Sequence, residues 1–139
     1  MSGRDAGSPA VLRLDGVRVR AETAAVEAFR AACLDDRVDG LGADGLPATY
    51  PFRWLTLPQV RPSLSAMLGG EGVLPVHEGQ SFSYERALRR DADYRLDFEF
   101  RRTSAPERLT VSCAIFEGEE PAPCAGFETV LRLVDAGRA

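Results

Sequence analysis

The sequence contains no lysine and a single histidine, His77. Its 17 basic residues are therefore all arginine, set against 21 acidic ones for a net charge of −4. We read the missing lysine as a coding bias rather than a physical device. An acidic chain with scattered arginines lacks the basic stripe of a nucleic-acid-binding protein, so no nucleic-acid partner is expected. No apolar run approaches the ~18 residues of a transmembrane helix, and no membrane partner is expected either. Met1 to Pro9 lack the apolar stretch of a secretory signal. Three cysteines, Cys33, Cys113 and Cys124, have no metal-ligand spacing, and their odd number fits reduced thiols in the cytoplasm. No metal and no other cofactor is expected. What is present is an ordinary composition, 45% hydrophobic and 27% charged over 139 residues. A chain of this size buries roughly 70% of its unfolded surface without disulfide or metal staples.

Met1 to Ala10 is small and polar and reads as a flexible leader, leaving 11–139 as a single domain. Val11 to Arg20 sets valine and leucine around Asp15-Gly16 and reads as a short strand or hairpin edge. From Glu22 to Leu34 the period changes. Val26, Phe29 and Cys33 recur at three and four residues among alanines, the stripe of a three-turn helix. Asp35 to Gly45 is glycine-rich loop. Leu57, Val60, Leu64 and Met67 form a buried helical stripe interrupted by Pro58 and Pro62. That predicts a helix over Arg61 to Leu68 with Pro62 in its first turn, a shorter helical turn before it holding Trp54, and a stop at Gly69-Gly70.

The second half alternates with period two. Tyr94, Leu96, Phe98 and Phe100 form one strand face and Leu109, Val111, Cys113 and Ile115 another. Thr103 to Glu107 is turn material, so the two make a hairpin. A turn over Glu117 to Pro123 leads to a further strand with Phe127, Thr129, Leu131 and Leu133 on one face. An earlier strand is expected over Gln80 to Leu88. The fold class is α+β: an antiparallel sheet, each strand apolar on one side, wrapped around a long central helix.

Leu74-Pro75-Val76-His77-Glu78-Gly79-Gln80-Ser81-Phe82-Ser83-Tyr84-Glu85-Arg86-Ala87-Leu88 resembles the "HxxQxFxYxRPL" strand of MaoC-like acyl dehydratases and R-specific enoyl-CoA hydratases. Thr23 to Asp36 resembles that family's "F-x-x-A-x-x-D-D" helix, and Leu46 to Pro51 its "P-P-T-F-P" lead into the central helix. The likeness covers roughly Val19 to Val134 and is greatest to the N-terminal or non-catalytic half-domains. It implies the hot-dog fold, a homodimer or a heterodimer with a second hot-dog subunit, and a pocket for an acyl thioester on coenzyme A or acyl carrier protein. Active members place an aspartate and, five residues on, a histidine in the loop after the first helix. Here the positions five beyond Asp35 and Asp36 are Gly40 and Leu41, and His77 lies elsewhere. The resemblance thus implies an acyl-binding subunit that lacks the usual Asp/His dyad. The alternatives are an active 3-hydroxyacyl dehydratase/enoyl hydratase using His77, and a structural dimerisation module.

Candidate catalytic groups are His77 and Asp36. For His77 the competing reading is a strand histidine bonded locally, and for Asp36 a solvated loop carboxylate. Gln80, Tyr50, Arg53 and Trp54 are candidates for substrate binding, with packing as the alternative for Tyr50 and Trp54 and a plain surface charge for Arg53. Arg86, Arg89 and Arg90 form a small basic cluster suited either to an acidic carrier protein or to solvent. Cys33 and Cys113 read as core residues and Cys124 as exposed.

Overall fold

The computed structural model describes residues 10–32 and 45–136. Five strands form one antiparallel sheet: β1 (Val11–Arg20), β2 (Val73–Tyr84), β3 (Asp93–Thr103), β4 (Arg108–Glu117) and β5 (Ala125–Asp135), in the order β1-β3-β4-β5-β2. The alternating apolar residues of β3, β4 and β5 explain this arrangement. Leu96, Phe98, Phe100, Leu109, Val111, Ile115 and Phe127 all turn to one side and are buried, while Arg95, Asp97, Glu99 and Arg101 occupy the other face of β3. The two hairpins fall where the turn residues predict them. β1 and β2 are the outer strands, and the described helices between them cover the apolar face.

That covering layer holds α1 (Thr23–Ala32), a 3₁₀ helix (Tyr50–Thr56) and α2 (Arg61–Leu68). Asp91 fixes the start of α1, its carboxylate accepting from both the amide and the hydroxyl of Thr23. Val26, Tyr50, Trp54, Leu55, Val60 and Met67 point down onto the sheet. Trp54 lies 6.0 Å from Tyr94 between ring centroids, and Tyr50 is held edge-on between Phe29 and Trp54.

Two expectations change in detail. The central helix of the fold class is not one continuous rod but the two pieces that the prolines of this segment predict, the 3₁₀ helix holding Trp54 and α2. Leu57 ends the 3₁₀ helix in an extended conformation, ψ 147°, because Pro58 disfavours the helical region for the residue before it. Pro62 then sits in the first turn of α2 and Gly69 closes it at φ +92°, as the sequence predicts. The second change concerns β2, which runs from Val73 to Tyr84 rather than over Gln80 to Leu88. Its early half hides its period because the pairing with β5 shifts between His77 and Gly79. Leu74 and Val76, opposite Val134 and Arg132, therefore face away from the helices, whereas Gln80 and Phe82, opposite the buried Thr129 and Phe127, face toward them. Pro75 lies on this outer strand, where a missing donor is tolerated. Cys113 is buried as expected, and Cys124, expected exposed, is buried too. Cys33 and Asp36 lie outside the described residues.

Candidate functional site

The register shift in β2 brings His77 and Gln80 to the helix-facing side of the sheet. Thr129, fully buried on β5, donates its hydroxyl to Gln80 Oε1 at 2.8 Å. The same oxygen lies 3.1 Å from His77 Nε2. Gln80 Nε2 is buried and has no hydrogen-bond partner among the described residues. Across the niche the Phe52 ring, 39% exposed, tilts over the imidazole at 5.7 Å between centroids. His77 itself is open to solvent. The result is a half-open niche with an apolar wall, an imidazole and a carboxamide anchored from beneath by a buried hydroxyl. Thr129 reads in the sequence only as one position on a strand face. Its signal was a hydroxyl in an otherwise apolar alternation.

The other sequence candidates gather elsewhere. Tyr50 and Trp54 are packed in the core, and burial raises the Tyr50 phenol above its ordinary range. The Arg53 guanidinium lies 5.2 Å over the Tyr50 ring and donates to the Ala25 carbonyl at 3.2 Å. Along the 3₁₀ helix, Phe52 thus reaches β2 while Arg53 reaches α1. Asp36 lies outside the described residues.

The arginines at the end of β2 are already neutralised. Arg86 bonds Glu117 and Glu120, Arg89 bonds Glu117, and Arg90 pairs with Glu27. The Arg89 guanidinium, helped by Arg86, holds the Glu117 carboxyl below the usual range. Arg53 and Arg61 instead use backbone carbonyls, of Ala25 and Thr56, and have no carboxylate partner among the described residues. Near this end of β2 a cavity of about 150 Å³ is lined by Leu46, Ala48, Tyr84, Arg86, Ala87 and Leu88. The Tyr84 hydroxyl bonds the Ala48 carbonyl beside it, and burial pushes that phenol up to about 12. Such a volume takes a few carbons, not a whole acyl-pantetheine. Burial also raises both described thiols, Cys113 and Cys124, which leaves neither as a nucleophile. Among the described residues no group of three or more His, Cys, Asp or Glu side chains is placed to hold a metal. None of the described helices is long and apolar enough to cross a membrane.

Solved structures match this architecture over nearly its whole length. A hot-dog-like protein from Thermanaerovibrio acidaminovorans superposes with a TM-score of 0.65 at 11% identity, over 99% of this chain and 91% of that one. This chain has the hot-dog fold. A MaoC-like dehydratase superposes at 0.69 and 16% identity, over 96% of this chain but 44% of that longer one. The C-terminally truncated HadBC complex of Mycobacterium tuberculosis, a (3R)-hydroxyacyl-ACP dehydratase, gives 0.63 at 13% identity, over 90% of this chain and 96% of its counterpart. No protein-family model matches the sequence, and no curated protein does. The hot-dog likeness is therefore one of backbone, and the chemistry lies in the side chains of this hot-dog chain.

Proposed function

We propose that this hot-dog domain binds acyl thioesters as one subunit of a dehydratase/hydratase-type assembly, and that a second hot-dog unit supplies the other wall of the channel. The carrying observation is the open edge of β2. Among the described residues this 12-residue strand pairs with β5 on one side only, with His77 near its middle and Leu74 and Val76 exposed to 46% and 45%. An unpaired edge of that length with apolar flanks is a template for another strand. A unit docked there would close the Phe52–His77 niche into a channel. Arg53 and Arg61, free of carboxylates among the described residues, suit the phosphates of a pantetheine carrier. Adding water across an enoyl thioester needs a base for the water, an acid at the 2-carbon and donors to the carbonyl. With one imidazole and no dyad in its sequence, the chain depends on its partner for part of that set.

The test combines calorimetric titration of the purified chain with crotonyl-CoA, the loss of enoyl absorbance and a thiol-release assay. The expected result is binding that weakens in His77→Ala and Gln80→Ala, with little turnover and no thiol released. Brisk hydration abolished by His77→Ala would instead identify an active hydratase. Thiol release would identify a thioesterase. The absence of both binding and turnover would leave a structural dimerisation module and overturn the proposal.

A further inference from the structure

A buried hydroxyl has to place its proton on an acceptor, and this requirement decides the chemistry of His77. Thr129 is fully buried, and the acceptor it reaches is Gln80 Oε1 at 2.8 Å. Rotating the Gln80 carboxamide by a half-turn would strand two groups, the Thr129 hydroxyl proton and the Gln80 carbonyl oxygen. The orientation found gives the Thr129 proton its acceptor and leaves the Gln80 NH2 group unpaired among the described residues. The Gln80 oxygen faces Thr129, where it accepts the one proton of a fully buried hydroxyl. That oxygen also faces His77 Nε2 at 3.1 Å. A carbonyl oxygen can only accept, so the ring nitrogen opposite it must carry a proton.

We infer that Thr129 and Gln80 are positioning residues that hold neutral His77 in the tautomer protonated at Nε2, leaving Nδ1 as a bare acceptor for an O–H or N–H donor on the ligand. The tilted Phe52 ring restrains the plane of the imidazole, so the lone pair keeps one direction. In an acyl thioester, such donors are the hydroxyl of a 3-hydroxyacyl chain and the amides of the pantetheine arm. The ligand part of this inference rests on the proposed function. The tautomer is a property of the unliganded chain and stands apart from it.

With one histidine in the sequence, a long-range ¹H–¹⁵N spectrum of the labelled protein at about pH 8 reports this ring alone. The expected result is a pyrrole-like Nε2 and a pyridine-like Nδ1. Thr129→Val removes the hydroxyl and frees the carboxamide to turn its NH2 toward the ring, so the Nδ1-protonated form should rise. Adding Gln80→Glu, whose ionised side chain can only accept, should restore the Nε2-protonated form. Should Thr129→Val not fold, Gln80→Met serves instead and should release the ring to a mixture of tautomers. A wild-type ring protonated at Nδ1, or variants that leave the tautomer unchanged, would overturn the inference. 3-Hydroxybutyryl-CoA and butyryl-CoA are then added in turn. A shift of Nδ1 with the first alone assigns the ligand donor to the hydroxyl, and a shift with both assigns it to the pantetheine. If neither moves Nδ1 while the tautomer holds, the thioester reading fails and the positioning role survives.

Discussion

Phe52 and His77, 5.7 Å apart between ring centroids, join the 3₁₀ helix to the shifted segment of β2. Neither residue is buried, so their contact is worth less to the fold than to the niche they line. Phe52→Ala is expected to lower unfolding stability by no more than about 1 kcal/mol in urea titrations. The same variant should weaken crotonyl-CoA binding several-fold in calorimetry, because the apolar wall of the niche is lost. A drop in stability without any change in binding would separate Phe52 from the ligand.

Val76 tests the open edge. It is 45% exposed on the outer face of β2, opposite Arg132. Val76→Arg should change monomer stability by less than about 0.5 kcal/mol, as surface substitutions do. At an interface it would bring unpaired charge into an apolar seam. Light scattering after size exclusion is expected to show a dimeric wild type and a monomeric variant.

Gly69 closes α2 at φ +92°, and a Cβ built on it would lie 2.7 Å from Nη1 of Arg102. That guanidinium group donates to the Met67 carbonyl at the end of the same helix. Gly69→Ala therefore meets both backbone strain and displacement of the cap. A loss of about 1–3 kcal/mol is expected in urea denaturation, and Gly70→Ala, with nothing near its Cβ, should lose less.

Glu117 sets one part of the acid dependence. Hydrogen bonds from Arg89 and Arg86 hold its carboxyl below the ordinary value of 4.5. A carboxyl depressed in the folded state stabilises above its unfolded pKa, and that stability is lost as pH falls through the folded pKa. The wild type should thus lose stability from about pH 5 downward. Glu117→Gln should be less stable at neutral pH and show a flatter curve over that acid range, followed by circular dichroism. Equal slopes for the two proteins would remove these arginine pairs from the account.

Much of this hot-dog fold was legible in one dimension. The alternation of Tyr94 to Phe100 and of Leu109 to Ile115 specifies two strands and their buried face, because a strand shows its sides at period two. Pro62 and Gly69 mark the ends of α2 through backbone sterics, a signal carried by the residues themselves. The single histidine and the lack of a second one after Asp36 are equally facts of the sequence. The tertiary structure decided the rest. The irregular register between His77 and Gly79 depends on pairing with β5, so the side of the sheet taken by each β2 residue could not be read locally. Tyr50 and Trp54, read as either ligand contacts or packing, lie in the core because Phe29 and Tyr94 meet them from other elements. Thr129 reaches Gln80 across 49 residues of chain. A hydrogen bond between neighbouring strands is made by folding, and no spacing along the sequence announces it.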